Sequence, residues 1–175
     1  RRELLEQAGF FVECVPAGVD EMTDGEPQTL AIANAEAKAR AVACGRPDAI
    51  VIGADTIVVL DGEIFGKPGS LDHAREMLAR LAGRTHEVMT GVVMLRQSPE
   101  TCVRFCEVTR VRFHALDAGA IDRYLADIHV LDKAGAYSAQ EDDGRIIANV
   151  EGSFSNVIGL PMERLVAELA ANFGG

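Results

Sequence analysis

The chain is 175 residues long, with 48% hydrophobic and 25% charged residues, the make-up of one soluble globular domain able to bury a substantial core. A formal net charge of −10 argues against a general binder of nucleic acid or of anionic membrane surfaces, but leaves room for a small phosphorylated ligand in a local basic pocket. No apolar run approaches the ~20 residues of a membrane span and no secretory leader is evident, so a cytoplasmic protein is expected, with further residues ahead of the opening Arg1-Arg2.

The first expected element is a helix over residues 1–8, with Leu4 and Leu5 inward and Gly9 ending it. Residues 10–15 read as a short strand, and 19–27 as a polar loop carrying Asp20, Glu21 and Asp24. An alanine-rich helix follows over 28–44, stopped by Gly45 and Pro47. The β-branched runs 50–52 and 57–60 read as buried strand, followed by a hairpin turn at Asp61-Gly62. Ser70 caps a helix over 71–82, where Leu71, Ala74, Leu78 and Leu81 form one apolar stripe. Residues 87–96 and 101–116 read as long strands joined at Ser98-Pro99, the second with Val103, Phe105, Val111 and Phe113 on one face. A helix over 117–127 precedes two extended stretches, 133–140 and 145–151, linked by the acidic loop Glu141-Asp142-Asp143-Gly144. Pro161 opens a last helix over 162–172. Helices and strands interleave while hairpins recur, so one α/β domain with a mixed, twisted sheet flanked by helices is expected. Cys14, Cys44, Cys102 and Cys106 form no Cys-x-x-Cys pair and have no histidine at zinc-ligand spacing, which points to buried reduced thiols.

Asp55 lies between two apolar runs, where an ionised group is costly unless something pairs with it or uses it. Lys67 returns after the hairpin turn, and an acid delivered into a cleft beside a lysine suits a metal-bound polyanion. Taken alone, Asp55 reads first as a strand-end acid capping a turn, and only the rest of the chain favours the other role. Arg1 and Arg2 at a helix N-terminus place two guanidiniums before free backbone N–H groups, which makes either a phosphate site or a solvated chain end. Glu21 in its loop and Lys38 on the alanine-rich helix read as partners in one site or as solvated charges. Small residues around Lys133, Gln140, Ser153, Ser155 and Asn156 let the backbone pass close to a ligand, or simply make turns.

Taken in order, these features resemble the Maf family of nucleoside triphosphate pyrophosphatases over nearly the whole chain. The resemblance is carried by RRELL, VDE at 19–21, EAKARAV, GADTIVVLDGEIFGKP, HEVMTGV, DKAGAYSAQ and EGSFSNVIGLP. The DKAGAYSAQ segment is similar to the branch acting on dTTP and UTP; the sister branch, acting on 7-methyl-GTP and related nucleotides, differs there. The resemblance implies one domain over residues 1–175, in the elongated two-lobed fold of the inosine triphosphatases with a cleft between the lobes. It implies a homodimer that hydrolyses dTTP or UTP to the monophosphate and pyrophosphate with Mg²⁺ or Mn²⁺, clearing surplus or non-standard nucleotides, and a link to arrest of cell division.

Carried over by residue, the resemblance makes Asp55 the general base that activates water. Arg1, Arg2, Lys38 and Lys67 would hold the triphosphate, and Glu21 with Asp55 would place the metal. Arg1, Thr56 and Gln140 match positions that set nucleobase preference, and the Gln140 amide offers both a donor and an acceptor to a uracil or thymine edge. A strand and a Ser-x-Ser-Pro segment are implied ahead of the paired arginines. Two positions depart from the pattern: His129 stands where the branch carries Glu, and Glu141 where it carries Gly, so the loop beside Gln140 is expected to differ.

Overall fold

The computed structural model describes residues 1–174. Five strands form its frame, in the spatial order β2-β1-β3-β4-β5: β1 (Val51–Leu60), β2 (Glu63–Phe65), β3 (Thr85–Gln97), β4 (Glu100–Phe113) and β5 (Ile147–Glu151). The two apolar runs read as strand merge into β1, with Asp55 in its middle. The α/β class stands, but all four pairings are antiparallel, in place of the expected mixed sheet. The reason is local: β1–β2 and β3–β4 are hairpins, and the remaining connections also return antiparallel.

Side chains alternate across β1 and β3, so each face has its own cover. Gly53, Asp55, Ile57 and their cross-strand partners face α2 (Pro27–Ala43). That helix starts where the Glu26 carboxylate accepts from the Gln28 and Thr29 N–H groups at 3.2 and 2.8 Å, with Pro27 at its first position. Ala31, Ala35, Ala39 and Ala43 recur every four residues and are fully buried, giving α2 a flat side to lay on the sheet.

The opposite face carries two apolar covers. Ala54, Val92, Met94 and Phe105 pack with Leu5 of α1 (Arg2–Gln7) and Leu165 of α6 (Met162–Phe173). Val58, Leu60, Val88 and Phe113 pack with α3 (Leu71–Leu81) and α4 (Ala118–Asp127). Between the covers runs a polar strip, Thr56, Thr90 and Thr109, faced by α5 (Phe154–Ile158).

Three local expectations are corrected. Residues 10–15 form no strand; no ladder partner exists for them among the described residues, and Phe11 is fully exposed. Residues 133–140 are not extended but contain a 3₁₀ turn, Ala134–Ala136, with Gly135 at φ 70°. A β-carbon at Gly135 would meet Val58 Cγ2 at 2.9 Å, so the chain passes too close to β1 for another residue type. The thiols are free but not buried: Cys14 and Cys44 are exposed, and Cys102 and Cys106 are half-buried on β4. Among the described residues no helix is long and apolar enough to cross a membrane.

Candidate functional site

The buried carboxylate of Asp55 is clamped from α2. Lys38 Nζ donates to its Oδ1 at 2.7 Å, and Asn34 Nδ2 donates to its Oδ2 at 3.1 Å. These residues lie four apart on α2, so both reach the sheet from one side of the helix. Lys38 Nζ also meets Glu21 Oε1 at 2.6 Å, and Lys67 Nζ stands 3.8 Å from Glu21 Oε2. The bond from Lys38 is the main cause lowering the Glu21 pKa below the ordinary carboxylate range. Two carboxylates from a loop and a strand thus converge on a single ammonium.

The loop that delivers Glu21 is itself tied to α2. Asn34 accepts from the Met22 N–H at 2.8 Å and donates to the Met22 carbonyl at 3.0 Å, while keeping its bond to Asp55. Asn34 is a site residue that the sequence reading missed. A buried amide in the middle of an otherwise alanine-lined helix face was the signal that could have found it.

On the other face of β1, Thr56 joins a second group. Arg1 Nη2 donates to Thr56 Oγ1 at 2.9 Å, Arg1 Nη1 to the Ala54 carbonyl at 3.0 Å, and Arg1 Nε to the Gly159 carbonyl at 2.7 Å. Arg1 is exposed overall, yet its guanidinium is enclosed enough that desolvation lowers its pKa, opposed by the charges of Asp55 and Glu21. Thr56 Oγ1 lies 2.9 Å from Thr90 Oγ1, which donates to the Asn156 carbonyl at 3.3 Å. The Asn156 side chain is fully buried, its Nδ2 bonded to the Val88 carbonyl and Thr109 Oγ1 at 3.0 Å each.

The structure therefore brings Asp55, Lys38, Glu21 and Lys67 together on one face of β1, and Arg1 and Thr56 on the other. Arg2 stands apart, paired with Glu6 at 2.7 Å on the surface of α1. Gln140 is exposed, and its side chain makes no hydrogen bond among the described residues. Lys133 pairs with Asp132 at 2.9 Å. Ser153 and Ser155 share Glu163 Oε2 at 2.8 and 2.9 Å, joining the starts of α5 and α6. His129 is exposed surface, 3.8 Å from Asp132. The loop after Gln140 is held by Arg145, whose Nη2 donates to the Glu141 carbonyl at 3.1 Å, and by buried Asp142, which accepts from the Ile146 N–H at 3.0 Å.

Two hard carboxylate oxygens within 2.7 Å of one cationic centre fit a divalent cation that takes its other ligands from water and phosphate, as Mg²⁺ does. Among the described residues no three His, Cys, Asp or Glu side chains gather into an all-protein metal cage. Two carboxylates and two lysines on one face of β1, with Arg1 on the other, offer positive charge to a polyanion and a carboxylate that can accept a proton from water.

The profile of a family described as Maf-like protein matches residues 1–172. Several relatives bear the name dTTP/UTP pyrophosphatase. One, from Symbiobacterium thermophilum, is 45% identical over 177 aligned positions, covering 99% of this chain and 89% of its own length. Another, from Bacillus cereus strain B4264, is 43% identical over 171, covering 97% and 88%. A third, from Pelotomaculum thermopropionicum, is 42% identical over 176, covering 99% and 92%.

Proposed function

We propose that this chain, which belongs to the Maf-like protein family, hydrolyses nucleoside triphosphates such as dTTP and UTP to the monophosphate and pyrophosphate. The names of its relatives support the reaction, and the clamp on Asp55 carries the reading of the site. Asp55 sits buried with one oxygen bonded to Lys38 and the other to Asn34, so its remaining lone pairs have a fixed direction.

In this reading Asp55 accepts a proton from water as the water oxygen attacks the α-phosphorus. The bond from that phosphorus to the oxygen bridging to the β-phosphate breaks, and pyrophosphate leaves with the electron pair. Lys38 and Lys67, both held on Glu21, supply positive charge to the phosphates, and Arg1 and Thr56 meet the nucleoside. Gln140 completes the base contact from the loop above. Arg2 reaches the phosphates only by leaving Glu6. Glu21 and Asp55 would hold a divalent cation, which supplies charge neutralisation when bound. The same reading makes the protein a cytoplasmic homodimer acting on free nucleotides to clear surplus or non-standard ones.

The test is pyrophosphate release across a panel of standard and modified nucleoside triphosphates with Mg²⁺ or Mn²⁺. Wild type should act on dTTP and UTP. Asp55→Asn should lose at least about a hundredfold in turnover, the usual worth of a general base, while binding nucleotide within a few-fold. Turnover unchanged in Asp55→Asn would remove Asp55 from the reaction. Binding without release by wild type would leave a nucleotide-binding protein and no enzyme.

A further inference from the structure

The polar strip between the two apolar covers contains a hydrogen-bond chain whose direction is fixed at both ends. At one end is Arg1, whose guanidinium has only donors. At the other is the Asn156 carbonyl, which has only lone pairs. Two hydroxyls lie between, Thr56 and Thr90, with 2.9 Å between their oxygens. Thr90 is fully buried, so no solvent offers its proton another place.

Each hydroxyl has one proton. All three contacts become hydrogen bonds only if the protons run one way, from Thr56 to Thr90 and from Thr90 to Asn156. The reverse arrangement would place the Thr90 lone pairs against the Asn156 carbonyl oxygen at 3.3 Å and lose one bond. With its proton committed to Thr90 and one lone pair taken by Arg1, Thr56 has a single lone pair left to offer, and no proton.

We infer that Thr90 is a positioning residue that fixes the polarity of the Thr56 hydroxyl, so that the site favours a base presenting a ring N–H over one presenting a ring lone pair. Uracil and thymine have a proton on the ring nitrogen between their two carbonyls. Cytosine has a lone pair at that nitrogen, which would face the lone pair of Thr56. The inference rests on the reading above that Thr56 meets the nucleobase. It assigns the discrimination to a residue that touches no substrate.

Nothing else in the strip competes for the Thr56 proton. Arg1 has no acceptor to take that proton, and two more of its N–H groups go to the carbonyls of Ala54 and Gly159. The Asn156 side-chain nitrogen is turned toward β3 and β4, bonding the Val88 carbonyl and Thr109, so only its backbone carbonyl meets Thr90. The strands β1 and β3 hold Thr56 and Thr90 directly opposite one another, which makes the pairing a property of sheet register.

The test compares kcat and KM for dTTP and dCTP in wild type, Thr90→Val and Thr90→Ser. Wild type should prefer dTTP. Thr90→Val, nearly isosteric, leaves the Thr56 proton free to turn toward the cytosine nitrogen. The dTTP to dCTP ratio of kcat/KM should fall about tenfold, the worth of one hydrogen bond, through KM and with kcat on dTTP within about twofold. Thr90→Ser restores the hydroxyl and should restore the ratio. Thr90→Cys, a weak donor and acceptor of similar size, should move the ratio in the same direction as Val and serves if the valine variant does not fold. An unchanged ratio in folded Val or Cys variants overturns the proposal, as does a serine variant that behaves like valine. A wild type equally active on dCTP and dTTP overturns it while leaving the hydrolase intact. A wild type that releases pyrophosphate from no nucleotide overturns the proposed function and this inference with it.

Discussion

Asn34 makes three hydrogen bonds, one to each backbone group of Met22 and one to Asp55. It is 3% exposed and its bond to Asp55 is buried, so that carboxylate oxygen loses a partner in a buried setting if the amide is lost. The loop carrying Glu21 and the acid carrying the proposed chemistry are therefore positioned by one side chain that meets neither metal nor phosphate. Asn34→Leu keeps the volume and removes every bond. Displacing the base or its loop by about 1 Å costs on the order of a hundredfold in rate where geometry is tight. Steady-state kinetics on dTTP should show kcat falling tenfold or more with a smaller change in KM, together with a lower melting temperature. A normal kcat in a folded variant would make Asn34 a loop tether with no part in orienting Asp55. The residue was visible in the sequence only as one letter in an alanine-rich helix; its role depends on Met22, twelve residues earlier, meeting it in space.

At the scale of elements, the site depends on how close α2 lies to the sheet. Gly91 on β3 is directly opposite Asp55 on β1, and a β-carbon there would stand 2.3 Å from the Ala31 backbone. At Gly53, two residues before Asp55 on the same face, it would stand 2.2 Å from the Ala35 carbonyl oxygen. These are backbone atoms of a regular helix and cannot turn aside. The two glycines let α2 settle low enough for Asn34 and Lys38 to reach Asp55. Gly91→Ala must lift the helix or buckle the strand, and should cost more than about 3 kcal/mol, as backbone overpacking does. Urea unfolding followed by circular dichroism measures this, and a midpoint near wild type would show that α2 can rise without penalty. The order of helices and strands was legible in the sequence because periodicity and caps are local, as at Ser70 and Asp117. The failures were non-local. Residues 10–15 have strand composition without a partner, and residues 133–140 bend where Gly135 crosses β1. The helix α5 was hidden among turn residues that prove to be its caps, Ser153 and Gly159. The acid, lysines and Thr56 of the candidate site were legible from motif order, whereas Arg2 lies outside the bonded groups in an i,i+4 pair with Glu6 and Gln140 is exposed in its loop.

For the whole molecule, His86 sets how stability responds to acid. It lies on β3, 1% exposed, edge-on to Phe113 and Tyr137 with ring centroids 4.8 and 5.5 Å away. Nε2 is 2.9 Å from the Tyr137 hydroxyl, while Nδ1 is buried with no partner among the described residues. Burial alone pushes its pKa down to about 4 from 6.5. Between those values the unfolded chain binds a proton at this residue and the folded one does not, so stability rises with pH across the window. The contribution is complete above about 6.5, is lost as pH falls toward 4, and amounts to roughly 3 kcal/mol. Carboxylates held low by arginines act in a different range. Glu36, at about 2 chiefly through its bond from Arg104, gives up its contribution only below its ordinary 4.5. The two windows overlap only between about 4 and 4.5. Because the ring ties the sheet to the segment ending at Tyr137, charging it requires opening the cluster that joins β3, β4 and that segment, so the loss is global. Urea midpoints should fall between pH 7 and pH 5 in wild type. His86→Phe should start lower at pH 7, since the Tyr137 hydroxyl loses its partner, and should then change little over the same interval. An equal slope in the two proteins would place the acid sensitivity elsewhere in the chain.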